Sequence, residues 1–281
     1  MPFRIIDAQV HLWGANTPER PWPADAAIKA QRERPFTLAD LVAEQRAAGV
    51  DGAIIVPPSW EGFRNDLGLE AARLYPHRYA VMGRFALDDP DNRARVADWR
   101  KQPGMLGVRL TFHAGRQKAW LTDGTADWFW AAAEKAGVPA MIYTPGNIKP
   151  VLGIAERHPG MKLVIDHMAI DREAKDDAAF SHIADLTALA KFPNVAVKTT
   201  TLPFYSTEPY PHPKLHPYIR RLYDAYGPKR LFWGSDLTRM PCSYRLCVTL
   251  FMEELRWLTG EDLEWMMGRG VTEFLGGPKP A

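Results

Sequence analysis

Eight short apolar runs recur along the chain, with helical patterns between them. They are FRIID at 3–7, GAIIVP at 52–57, YAVMGRF at 79–85, MLGVRL at 105–110, VPAMIY at 138–143, KLVIDH at 162–167, NVAVKT at 194–199 and RLFWGSD at 230–236. Runs this uniformly apolar suit strands covered on both faces, as in a parallel sheet. Thr37 and Asp40 before LVAEQRAAG supply an N-cap, an apolar stripe follows, and Gly49 stops the helix. DWFWAAAEKAG ends the same way at Gly137, and IKPVLGIAERHPG has an N-terminal proline and closes on Pro-Gly. DAAFSHIADLTALAKFP, HPYIRRLYDAYG, SYRLCVTLFMEELRWL and GEDLEWMMGRGVTEFLG follow the same rule. Eight strands with intervening helices and no clear break predict one α/β domain over residues 1–281, a closed (β/α)8 barrel. The rival is an open doubly wound sheet, which lacks support because no Gly-rich phosphate loop follows the first strand.

Two stretches are too irregular for this scheme. Residues 14–36 are rich in proline and charge, and residues 201–217 in proline and aromatics. Both follow strands, so both are expected as lid loops over the C-terminal mouth of the barrel, where long loops usually cover active sites.

The net charge of +2 in 281 residues is too small to argue for nucleic acid or an anionic membrane surface. No stretch approaches the ~18 apolar residues of a membrane span. The N-terminus reads directly as a strand, without the pattern of a secretion signal. Two cysteines, Cys242 and Cys247, make no disulfide framework. A cytoplasmic protein with two free thiols is the expectation, with self-association open.

In a barrel, function sits at the C-terminal ends of the strands. The first run continues Asp7-Ala-Gln9-Val-His11-Leu-Trp13, and alternation would point Asp7, Gln9 and His11 the same way. Ser59 and Trp60 follow the second run. The third carries Arg84, the fourth Arg109 and then His113, and the fifth ends at Tyr143. The sixth ends Asp166-His167, the seventh offers Lys198 and Thr200, and the eighth ends at Asp236 with Arg239 just after. Hydrolysis needs a base to activate water, groups to stabilise an oxyanion, and contacts that orient the substrate. Asp236 could be the base, and His11 and His167 could polarise a carbonyl. Arg84, Arg109 and Arg239 could hold a carboxylate, a task that suits the planar guanidinium. Gln9, Trp13, Ser59, Tyr143 and Lys198 complete the candidate substrate contacts, and a small, anionic substrate is expected. The aromatic residues Trp13, Trp60, Phe112, Phe204, Tyr205 and Tyr210 near the mouth suggest a pocket for a ring, or simply packing of the lid loops.

IDAQVHLW at the start, GVRL at 107–110, LVIDHMAI at 163–170, NVAVKT at 194–199 and YGPKRLFWGSD at 226–236 resemble the amidohydrolase superfamily. The likeness is to its lactonase-like branch, which includes 2-pyrone-4,6-dicarboxylate lactonase and the sugar lactonases. It implies a TIM barrel in which DHMA follows strand five and WGSD strand eight, so that one of the eight runs would be an extra or irregular strand. The family's first-strand motif is His-x-His, whose histidines can bind a divalent metal. Here Gln9 stands first and only His11 remains, while His167 and Asp236 match the other ligand positions. An amide oxygen is neutral and a poor ligand beside imidazole or carboxylate. The resemblance therefore implies either no required cofactor, or one zinc or manganese held weakly by His11, His167 and Asp236. Without a metal, Asp236 must deprotonate water by itself, which suits an activated lactone better than an amide.

Two alternatives stand beside a lactonase. One is a metal-dependent decarboxylase of an aromatic or conjugated acid, which the superfamily also contains. The other is a barrel that only binds a ligand. Cys242 and Cys247 read as packing residues. His212 and His216 sit among prolines that disfavour a helix, and are expected at most to reach the substrate.

Overall fold

Each of the eight apolar runs forms a parallel strand. In the computed structural model, which describes residues 3–24 and 28–278, these are β1 (Ile6–Val10), β2 (Gly52–Ile55), β3 (Tyr79–Arg84), β4 (Met105–Thr111), β5 (Ala140–Tyr143), β6 (Leu163–Ile165), β7 (Val195–Thr199) and β8 (Leu231–Trp233). Residues 25–27 of the first lid loop are outside the described residues. The strands pair in sequence order from β1 to β8, all parallel, and every strand residue is buried. This is a (β/α)8 barrel. No run is an extra strand: DHMA follows β6, which corrects the numbering that the family resemblance implied.

Alternate strand residues fill the interior, where Ile6, Ala8, Ile54, Met82, Val164 and Phe232 share one cluster. A larger apolar cluster joins the opposite strand faces to the helices. The helix Leu38–Ala48 begins at a complete capping box between Thr37 and Asp40 and ends at left-handed Gly49. The segment after β6 is less regular than its pattern implies. It breaks into Asp176–Ala179 and Ile183–Ala188 around His182, whose ring Nε2 donates to Met168 O at 2.7 Å. No helix among the described residues is long and apolar enough to cross a membrane.

The seam between β8 and β1 is closed by polar contacts that also build the site. Asp236 N donates to Gln9 O at 3.0 Å. Asp7 Oδ1 accepts from Gln9 N at 2.8 Å and Ser235 N at 2.9 Å, and the Tyr244 hydroxyl donates to Asp7 Oδ2 at 2.7 Å. Asp7 thus faces Tyr244, whose ring stacks on Trp233 in the outer layer. The expected common direction of Asp7, Gln9 and His11 fails because the register of β1 shifts between Asp7 and Val10.

Candidate active site

Seven of the candidate residues line one cavity at the C-terminal mouth: His11, Ser59, Arg109, Tyr143, His167, Asp236 and Arg239. Ile28, Gln31, Trp60, His113, Arg172 and Tyr205 complete its wall. The inner cavity is tight, ≈ 30 Å³. It shares Ile28, Ser59 and His113 with an outer cavity of ≈ 520 Å³ that reaches Trp22, Phe63, Arg64 and Arg116.

Asp236 sits at the centre of the polar wall. Its Oδ1 lies 3.3 Å from His11 Nε2, and its Oδ2 accepts from Arg239 Nε at 3.0 Å and the Thr201 hydroxyl at 3.4 Å. Burial raises the pKa of its carboxyl. His11, Arg239 and His167 outweigh this and hold it well below the usual carboxylate range. The opposite ring nitrogen of His11, Nδ1, is 2.5 Å from Val56 O. A carbonyl only accepts, so Nδ1 carries a proton.

His167 Nδ1 lies 2.6 Å from the Thr200 hydroxyl and 2.8 Å from that of Thr201. Burial, with Lys198 and Arg109 nearby, pushes its pKa down to about 3 against the pull of Asp236 and Asp166, so the ring is neutral near pH 7. His167 (φ 51°), Thr201 (φ 67°) and Asp236 (φ 56°) are all non-glycine residues in the left-handed region. Such conformations cost energy, and they gather where surrounding structure imposes them, often at functional sites.

Three guanidinium groups face the cavity: Arg109, Arg172 and Arg239. Arg109 Nε is held by Asp166 Oδ2 at 3.0 Å. Burial and the surrounding arginines push the pKa of His113 down to about 3, so it lines the pocket as a neutral ring. The Tyr143 hydroxyl donates to Ile170 O at 3.3 Å, and burial pushes it up to about 12.

Four candidate substrate contacts lie behind the wall instead of on it. Trp13 is buried against Trp60 and Phe36. Arg84 is buried behind Thr111 and Gln117, to which it donates at 3.2 and 3.3 Å. Gln9 and Lys198 are fully buried beneath the site, with Lys198 Nζ 2.5 Å from Gln9 Oε1. A lysine or arginine at a strand end is long enough to reach a substrate, but here buried hydrogen-bond partners hold both below it. His212 and His216 bond backbone carbonyls of their own loop, Glu208 O and Pro211 O, and do not line the cavity. Cys242 and Cys247 are free thiols 3.8 Å apart in the outer layer. Arg172 and Gln31 escaped the strand-end reading. Arg172 lies five residues beyond His167, and the same reading carried further along that loop reaches it.

A divalent metal placed by the family pattern would draw on His11, His167 and Asp236. Among the described residues no three His, Cys, Asp or Glu side chains converge as a metal set. Arg239 and Thr201 occupy Asp236 Oδ2, and Lys198 occupies the Gln9 oxygen. The donor set as built does not fit the ion.

A family model described as "Amidohydrolase" matches residues 6–268. The chain is similar to an L-fucono-1,5-lactonase of Burkholderia ambifaria, 30% identical over 243 residues, 84% of this chain and 80% of the relative. It also resembles the crystal structure of an amidohydrolase from Burkholderia multivorans with bound zinc. There the TM-score is 0.80 at 22% identity, over 98% of this chain and 100% of that one. A structure from Acinetobacter baumannii, described as a probable 2-pyrone-4,6-dicarboxylic acid hydrolase with citric acid bound, aligns with a TM-score of 0.75 at 16% identity, over 98% and 100% of the two chains. At these identities the two structures speak to the fold.

Proposed function

Because the chain belongs to the amidohydrolase family, we propose that it is a hydrolase that opens a small carboxylated or conjugated lactone with Asp236 as general base. The observation that carries this reading is the placement of Asp236. Its carboxylate faces the cavity between His11 and Arg239, in a wall that also holds Arg109, Arg172 and neutral His167. The lactonase named among its relatives supports the same chemistry.

The proposed steps use only these side chains. Asp236 takes a proton from water as the oxygen attacks the lactone carbonyl. In the tautomer this reading requires, His167 carries its proton on Nε2, its Nδ1 accepts from the Thr200 hydroxyl 2.6 Å away, and Nε2–H faces the developing oxyanion. The tetrahedral intermediate expels the ring alkoxide, which takes back the proton from Asp236. Water is added across the ester bond and the carboxylate returns to its starting state. A carboxylate held far below neutral pH is a weak base, which suits an activated ester and not an amide. The arginines hold an anionic substituent, and the body of the substrate extends into the outer cavity.

No step is routed through a metal, because the donor set does not fit one. The decarboxylase reading needs such a set, and no observation here favours it. The small anionic substrate and a cytoplasmic setting belong to this proposal, and the unbonded thiols are consistent with a reducing compartment. The experiment is a panel of sugar 1,5-lactones and pyrone carboxylates, with acid release followed by a pH indicator. Turnover of at least one lactone, lost in Asp236→Asn, supports the proposal. Turnover that survives Asp236→Asn overturns the role of Asp236, and no turnover of any lactone overturns the substrate class.

A further inference from the structure

Lys198 has no exposed surface; burial lowers the pKa of its amine at the floor of the site, and the Asp166 carboxylate beside it opposes this and favours the ammonium form. Its Nζ lies 2.6 Å from Asp166 Oδ1 and 2.5 Å from Gln9 Oε1, with Ala8 O at 3.4 Å. Asp166 is equally buried and also pairs with Arg109. These contacts supply the partners that a buried charge requires. They also fix Gln9. Its oxygen accepts from the ammonium, so its amide N–H points the other way, towards His11 Nε2 at 3.4 Å. One continuous series of polar contacts thus runs Arg109, Asp166, Lys198, Gln9, His11, Asp236, Arg239, and both ends line the cavity. None of the proposed steps uses Lys198.

We propose that the Lys198 ammonium is the resident cation of this site, standing in place of a divalent metal and orienting His11 through Gln9. A second, doubly charged ion close by would be repelled across an interior that screens charge poorly. The oxygen that Gln9 could offer such an ion is already held by the lysine. Gln9 and Lys198 then form one unit. A histidine at position 9 cannot complete a metal site while the ammonium remains beneath it. Lys198 touches no reacting atom and is a positioning residue.

The test is zinc retention by the purified chain after incubation with zinc sulfate and desalting. It compares wild type, Gln9→His, Lys198→Met and the double variant Gln9→His/Lys198→Met, each checked for fold by circular dichroism. Wild type and both single variants should retain little zinc, and the double variant about one ion per chain, held by the restored histidine pair and Asp236. Lys198→Met should also lower kcat with little change in KM, since it acts through His11 and not on the substrate. About one zinc per chain in wild type or in Gln9→His overturns the proposal. So does a folded double variant that retains no more zinc than Gln9→His. If the Lys198 variants do not fold, the wild-type and Gln9→His results decide alone. The kcat comparison rests on the lactonase reading, but zinc retention does not. An expected zinc pattern with no lactone turnover would sink that reading and leave Lys198 in place.

Discussion

His11 Nε2 and Asp236 Oδ1 lie 3.3 Å apart, and the opposite nitrogen of the same ring is already committed to Val56 O. Nε2 is left between the Gln9 amide at 3.4 Å and the Asp236 carboxylate. Contacts on both ring nitrogens thus fix the face that His11 turns to the carboxylate.

Replacing Asp236 with Asn should leave the fold intact and lower kcat by ~10²–10⁴, the usual contribution of a positioned general base. Steady-state kinetics on the best lactone, with a thermal melt as control, checks this. A loss confined to KM would assign Asp236 to binding.

Arg172 lines the cavity, and among the described residues its ion pair is a 3.7 Å contact with the exposed Glu173. Its guanidinium is thus available to a ligand. Arg172→Met should reduce kcat/KM for a carboxylated lactone by roughly tenfold more than for an uncharged one, since a hydrogen bond to a charged group is worth about 1.5–3 kcal/mol. Competition between the two substrates reads the ratio directly. Equal losses on both would remove Arg172 from anion recognition.

The barrel was legible because its strands are buried on both faces, so GAIIVP or NVAVKT reads as strand without alternation. His167, Arg109 and Asp236 were legible because a barrel brings its strand ends together. The orientation of Asp7 was not, because one shift of register in β1 reverses it and no residue type marks the shift. The left-handed backbone at His167 was equally hidden. It occurs without glycine, and a long-range contact, His182 to Met168 O, braces it. Lys198 misled for a related reason. Nothing local says that its ammonium turns down to Asp166 and Gln9 and away from the cavity.

Asp262 should contribute stability at neutral pH that is lost in acid. Partial burial raises its carboxyl pKa, but the Thr259 backbone N–H, the Thr259 hydroxyl and the Tyr223 hydroxyl donate to it and leave it lowered. A folded-state pKa below the unfolded value of ~3.9 contributes stability above that value, and loses it as the pH falls through the folded value. Asp262→Asn should therefore cost about 0.5–2 kcal/mol at pH 7, as for loss of a cap, and progressively less towards pH 2. Urea unfolding of both proteins at several pH values measures this. A difference that does not vary with pH would mean that the charge is not what stabilises the cap.

Gly234 ties the stability of the seam to the geometry of the site. A Cβ there would meet Thr200 Cγ2 at 2.7 Å, Asp7 Oδ1 at 2.8 Å and Ala8 N at 2.9 Å. None of the three is the free end of a flexible chain. Asp7 is held by Ser235 and Tyr244, Ala8 is backbone, and Thr200 holds His167. Gly234→Ala should destabilise the protein by about 1–3 kcal/mol, the usual range for overpacking a filled interior. Because Thr200 is displaced with it, kcat should fall even under conditions where the variant is fully folded. Thermal melts alongside kinetics well below the melting point separate the two effects. A destabilised variant with unchanged kcat would show that the Thr200 contact does not position His167.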